Sequence, residues 1–561
     1  MFQGTSSESR FRKKPANEAI RLIDLRIANL RESIRVLNSQ RNGLLPISKL
    51  PVEILTKIFL LHQKNATQGY AVQWLDWIGI THVSQRWREI ALNFSGLWIH
   101  IPFYRPKWAT EMIARSQHAY PIVKATYDPS RYPSEARLLK TFLQDHLSRI
   151  QVLEIQYTSH QLVGQLFQDI QPTSVPCLSM PWQEPGTEFS PADSLQILDT
   201  RFVDTNSLRK VEASTIPSWN LRLFSGLTYL KIGDGDGDLP RTQTSQREFL
   251  DALRRMPALQ CLDLNGPALP EAVDRSSLEP VYLPDLQDLT VIDTVFAIEF
   301  FLHHVTFPPT TRIIIGCKHP VPVLQLANIS PVLVPLKRLL SERPSALKLH
   351  HIKFSCFEGC EDWNIIDLRL SGWVSSSLEG YNPNFPSHRS DFTFFVEWGS
   401  QGDILPPEMD EFSVGMFGIF PQDDVVALSL SLLEITDPRF GAFVHNIGQL
   451  PALNALYLRC DFSARFFLEL VRDVLQEGED PSAVTYPALR YLDFIKCQID
   501  LRVLMILYIR LKKRSELGLG PERLKVDLRG LELGRIDKKA AALLEKVVEV
   551  EWMMDDSDSD D

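Results

Sequence analysis

The sequence predicts an α + α/β chain, in which an N-terminal helix and a small helical domain are followed by an irregular α/β solenoid. Three observations carry this. Apolar residues repeat in heptads through residues 18–42, two helical phrases at 50–62 and 80–101 bracket an aromatic-rich spacer, and from residue 148 a short apolar phrase recurs between helical segments. The division expected is a disordered N-terminus (1–17), a heptad-patterned helix (18–42), a helical domain (48–101), the solenoid (148–551) and an acidic disordered tail (552–561). At 561 residues the chain exceeds what one hydrophobic core serves, so at least two structural units are expected.

The heptad segment places Ile20, Ile23, Ile27, Leu30, Ile34 and Leu37 at alternating spacings of three and four. That is an a/d seam, with Arg21, Asp24, Arg26, Arg31, Glu32 and Arg35 around it. It lasts less than three heptads, and an isolated coiled coil of that length is marginal. The seam is therefore expected to pack within its own chain, with dimerisation as the alternative. Asn42-Gly43 ends the helix.

The phrase LPVEILTKIFLLH (50–62) opens on Leu50-Pro51. A residue before proline is pushed out of the α region, so a helix starts here with Pro51 in its first turn. Ile54, Leu55, Ile58, Phe59 and Leu61 follow at helical spacing, with Glu53 and Lys57 on the wet side. A second helix is predicted over 82–92, with Val83, Trp87, Ile90 and Ala91 on one face. Two short amphipathic helices need a partner surface to form a core. The plain alternative is a pair of core helices in an ordinary helical domain.

Leu50-Pro51, Glu53-Ile54-Leu55, Ile58-Phe59, Val83, Trp87-Arg88, Ile90-Ala91 and Leu97-Trp98, in this order, resemble an F-box, and in particular the F-box-like proteins of mushroom-forming (basidiomycete) fungi. Ser84 stands where many members carry cysteine, and the 63–79 spacer, with Tyr70, Trp74 and Trp77, is longer than a minimal F-box loop. The resemblance covers under a tenth of the chain. It implies docking on a Skp-family adaptor and, through that adaptor, on a cullin scaffold. The contact it implies is apolar and centred on Leu50, Pro51, Ile54, Leu55, Ile58, Val83, Trp87 and Trp98.

From residue 148 the phrase P-x-L-x-x-L-x-apolar recurs as PALQCLDL (257–264), PDLQDLTV (284–291), PALNALYL (451–458) and PALRYLDF (487–494). Weaker copies are RIQVLEIQ, SLQILDT, GLTYLKI, TRIIIG and RLKVDLRG. Helical patterns such as SQREFLDALRRM (245–256) and ARFFLELVRDVLQ (464–476) lie between. Strand and helix alternate at intervals near those of a leucine-rich repeat, and such units must stack to bury their faces. Leucines two apart point toward the helices, leaving the other strand face as an extended surface for a target protein. Gln260, Asp263, Gln287, Asp288, Asn454, Tyr457, Arg490 and Asp493 are the residues expected there. Inserts rich in Pro, Ser and Gly at 171–191 and 381–409 read as loops.

A net charge of −10 and a pI near 5.8 argue against nucleic acid as the main ligand. No eighteen-residue apolar window predicts a membrane span, and the polar, basic N-terminus has no apolar stretch behind it. Seven cysteines, an odd number scattered through the chain, suit a reducing compartment. Cytosol or nucleus is the expected location.

Chemistry-bearing patterns are weak. Asp234, Asp236 and Asp238 match the first ligand spacings of a calcium loop, but Leu239 stands where the turn demands glycine and Ser245 where a bidentate glutamate belongs. A solvent loop is the better reading. His350, His351, Cys356 and Cys360 offer zinc-type donors without a paired CxxC, and the alternation there also fits a strand. The Gly-x-Ser-x-Gly elbow, the Walker loop and His-Glu-x-x-His are all missing, and the paired carboxylates Glu361-Asp362 and Asp423-Asp424 lie in polar turns. In the acidic tail, Ser557 fits an acidophilic kinase site, although a solubilising tail is the simpler reading. The sequence thus predicts no catalysis, no cofactor and no metal. The function expected is a substrate receptor of a Skp/cullin-type ubiquitin ligase that recruits a target through its repeats. The alternative is a leucine-rich-repeat scaffold not engaged with a cullin.

Overall fold

A computed structural model of the chain describes residues 15–68, 74–157, 160–167, 177–180, 208–213, 218–222, 224–233, 245–266, 268–270, 278–319, 326–358, 365–374, 390–399, 409–431, 441–459, 486–495, 501–516, 518–527 and 538–553. It divides into two compact units, Met1–Ile155 and Gln156–Asp561. Helices and strands mix, with a large mixed sheet, as an α + β chain requires.

In the first unit, α1 (Ala16–Leu44) begins behind Pro15 and stops where Leu45, extended ahead of Pro46, leaves the helical region. No residue of α1 is buried, which overturns the expectation that its seam packs within its own chain. The reason is reach. A 29-residue helix runs for roughly 43 Å, and its ties come from its last turns, where the Ser48 hydroxyl donates to Asn42 O and Asn42 Nδ2 donates to Val83 O.

The second helix, α2 (Val52–Gln68), buries Leu55, Phe59 and Gln63, a stripe at intervals of four. A 3-10 turn over Asp76–His82 takes the place of the start predicted for the next helix, so α3 (Gln85–Asn93) begins three residues late. Ser84, extended ahead of it, accepts the Trp87 N–H at 3.1 Å as an N-cap. Trp77, Ile80, Ala91, Leu97 and Trp98 form the core under these helices. The span 102–147, which the sequence reading left unassigned, completes this unit. It supplies α4 (Pro106–Ser116), α5 (Pro133–His146) and β2 (Ile122–Tyr127), which pairs in parallel with β1 (His100–Ile101) just ahead of the span. A further strand, β3 (Val152–Tyr157), crosses the boundary between the units.

The second unit continues with β4 (Cys177–Met180), β5 (Lys210–Ala213), β6 (Tyr229–Ile232), β7 (Cys261–Asn265), β8 (Val281–Tyr282), β9 (Asp288–Asp293), β10 (Val305–Thr306) and β11 (Arg312–His319). Then come β12 (His351–Glu358), β13 (Ile365–Trp373), β14 (Phe392–Gly399), β15 (Ala427–Ser431), β16 (Ala455–Arg459), β17 (Tyr491–Ile495), β18 (Arg523–Asp527) and β19 (Glu549–Met553). Apart from the short β8/β10 pair, the sheet runs β4-β5-β6-β7-β9-β11-β14-β13-β12-β15-β16-β17-β18-β19. Every neighbouring pair is parallel except the two that β13 makes. Between them lie helices such as α6 (Gln246–Arg254), which Ser245 and Glu248 close in a capping box, and α7 (Val295–His304). Trp219, Phe249 and Phe301 fill the core there, with the Trp219 and Phe249 rings 4.9 Å apart.

Every recurring phrase within the described residues is a strand; SLQILDT and the helical pattern 464–476 lie outside them. Two inserts read as loops also contain sheet strands. In the first, Cys177–Met180 pairs with β5. In the second, Phe392, Phe394 and Val396 alternate inward along β14 beside β11, a period-two signal hidden by polar flanks. The acidic tail starts later than predicted, because Trp552 and Met553 belong to β19 and pair with Val526 and Asp527.

Candidate interaction surfaces

The helical unit sorts the eight residues of the expected adaptor contact into two sets. Leu55 and Trp98 are 0% and 1% exposed, so they hold the unit together and offer nothing to a partner. The Trp98 indole donates to Ala91 O at 2.8 Å, stacks edge-on at 5.2 Å from Trp77 and lies under the Arg115 guanidinium. Trp87 is half-buried, with its ring 5.0 Å from Phe59. Pro51, Ile54, Ile58 and Val83 are exposed and Leu50 half so. The helix thus has two apolar stripes. Leu55 and Phe59 face inward, while Ile54, Ile58 and Leu61 face water.

Arg86 is a residue that the sequence did not single out. Its guanidinium donates to Leu50 O at 2.7 Å and also to Ser48 O, fastening the 3-10 turn Pro46–Lys49 to the start of α3. Leu50 and Val83 are thereby held near one corner. An arginine on either side of Trp87, Arg86 or Arg88, carries no sequence signal for a backbone tie.

On the sheet, the eight expected target-binding residues do not share one face. Side chains alternate with a period of two, so Gln260, Gln287, Asn454 and Arg490 have the parity of the buried Leu262, Leu289, Leu456 and Leu492. They stand just before their strands as backbone rungs, with Gln287 N–H donating to Gln260 O and Arg490 N–H to Asn454 O, both at 2.8 Å. Asp263, Asp288, Tyr457 and Asp493 do point to the other face. There, Tyr457 and Asp493 are only 5% and 6% exposed. Ala427, Ala455, Tyr457 and Ile495 form a buried cluster with Tyr491 packed against it, so this part of the face is closed.

The open part lies on β5 to β11. Lys210 pairs with Glu212 at 2.6 Å and reaches over the Tyr229 ring, Arg312 pairs with Asp288 at 2.8 Å, and Lys231 stands 3.9 Å from Asp263. Burial pushes the Asp263 carboxyl above the usual range; Lys231 opposes that shift and Glu212 adds to it. Burial, with Asp288 and Asp263 nearby, raises the Cys261 thiol to about 11, so it is not a reactive thiolate. Lys210, Glu212, Tyr229, Lys231 and Arg312 were missed as surface residues. The outward parity of Tyr229, Lys231 and Arg312 was readable in GLTYLKI and TRIIIG, whereas Lys210 and Glu212 lie in β5, which carries no recurring phrase.

Of the zinc-type donors, His351 is buried on β12 and His350 sits just before it, bonded through Nδ1 to Asp424 O at 3.0 Å. Among the described residues no three His, Cys, Asp or Glu side chains converge on one point. The calcium-like run and Ser557 lie outside the described residues. No described helix is long and apolar enough to cross a membrane.

No protein-family model matches the chain, and a search of curated proteins finds no match either.

Proposed function

We propose that this protein is an F-box-type substrate receptor, which docks on a Skp-family adaptor through its helical unit and holds a target protein on a leucine-rich-repeat-like solenoid. The observation that carries the proposal is the second apolar stripe on α2. Ile54, Ile58 and Leu61, like Val83 ahead of α3, remain in water although the opposite stripe already supplies the unit's core. Apolar residues at i, i+4 and i+7 are the pattern with which a helix meets a partner. The parallel strands on either side of the β11–β15 junction, β4 to β7 and β15 to β19, pair in chain order and support the repeat reading, and the mixed-charge face of β5 to β11 is where the target would bind. The role is tethering: a target held near a charged ubiquitin carrier meets it at high effective concentration.

Co-expression of the full chain with a Skp-family adaptor and a cullin, followed by size-exclusion chromatography, tests this. The expected result is a single peak holding all three. A peak with adaptor but no cullin, or a chain that elutes alone, contradicts the receptor reading and leaves the scaffold reading in its place.

A further inference from the structure

We propose that α1 joins two copies of this chain as an antiparallel two-stranded coiled coil. The observation is a complete but uncovered seam. Ile20, Ile23, Ile27, Leu30, Ile34 and Leu37 repeat as a and d positions over a helix with no buried residue, and Leu37 is 63% exposed. All three a positions are isoleucine, and two of the three d positions are leucine. A second copy supplies a seam of the same length.

Orientation follows from the flanking charges. Asp24 and Arg31 occupy e positions and Arg26 a g position, whereas Glu32 and Arg35 lie on the far side and pair with each other. In a parallel pair, g meets the next e of the partner, which sets Arg26 against the other copy's Arg31 twice. Like charges there oppose association. In an antiparallel pair e meets e, and layering Ile20 on the other copy's Leu37, Ile23 on Ile34 and Ile27 on Leu30 fills the whole seam. That register sets Asp24 against Arg31 at two symmetric places and leaves Arg26 opposite the neutral Ser33. Neither Asp24 nor Arg31 has an ion-pair partner within the described residues of its own chain. The symmetry is a closed two-fold, so association stops at a dimer. The ends of α1 that lead into the folded units lie roughly 45 Å apart along the axis, counting 1.5 Å per residue. The two copies would thus be carried at opposite ends and leave each adaptor surface accessible, although dimerisation itself does not depend on adaptor binding.

Sedimentation equilibrium of the full chain tests the proposal. The wild type should fit a reversible monomer–dimer equilibrium, and Ile27→Asp with Leu30→Asp should abolish the dimer without moving the melting temperature, since both side chains are exposed. Arg31→Asp alone should weaken the dimer severalfold, and Asp24→Arg added to it should restore the affinity. A wild type that is monomeric at every concentration, its seam taken up by another protein or by none, overturns the dimer. Tightening by Arg31→Asp overturns the orientation, because that change turns the parallel Arg26 clash into an attraction.

Discussion

At the scale of single residues, the face a side chain occupies decides what its loss costs. Tyr457 has the outward parity of a surface residue and is nevertheless buried, with its ring 5.5 Å from Tyr491. Tyr457→Ala should cost about 3 kcal/mol, read as a fall in the denaturant midpoint at constant m-value; an unchanged midpoint would mean the cluster contributes nothing. Leucine spacing in the sequence identified the inward residues correctly. Closure of the opposite face depends on distant segments, and no local pattern encodes it. His100 gives a second test. Burial first, then the charge of Lys124, pushes its imidazole down to about 4 from an ordinary 6.5, so the unfolded chain takes up a proton that the folded chain refuses. Stability from this group is complete above pH 6.5 and is lost as pH falls from there toward 4. His100→Gln should therefore lose less melting temperature than the wild type across that window. Equal losses would remove His100 from the acid response.

At the scale of elements, phrases with a proline ahead and leucines two apart predicted strands wherever the described residues cover them, because backbone and burial then ask for the same alternation. The middle of the sheet was harder to read. There the chain passes over two positions, lays down β12, and returns through the antiparallel β13 and then β14 to fill them, a route that needs no recurring phrase. One device holds this junction on the side away from the leucines. Gly316 of β11 lies beside Phe395 of β14, and the Arg369 guanidinium of β13 stacks on that ring at 4.8 Å. A Cβ at Gly316 would come within 2.2 Å of the Phe395 ring, which is itself 5% exposed. Gly316→Ala should cost roughly 1–3 kcal/mol by overpacking. Pairing it with Phe395→Leu should recover part of the loss, and a Gly316→Ala chain as stable as the wild type would mean the ring moves freely.

At the scale of the whole molecule, one chain carries two kinds of surface. The helical unit offers a short apolar stripe and the sheet offers paired charges around Tyr229, which suits one generic contact and one selective contact. The order of the motif residues was legible in the sequence. Which of them face outward was not, because Leu55 and Ile54 are both apolar on one helix and only the packing of Trp77, Trp98 and Phe59 decides between them. Burying what remains exposed of Ile54, Ile58, Leu61 and Val83 is worth on the order of 1 kcal/mol each, enough for these residues to dominate a small interface. The most direct test is titration calorimetry of a Skp-family adaptor into the full-length wild type and into the Ile54→Asp, Ile58→Asp variant. Clear binding by the wild type, a loss of at least about tenfold in the variant and equal melting temperatures are expected. An adaptor that ignores the wild type, or binds both proteins equally, would contradict the reading of α2 as the docking helix.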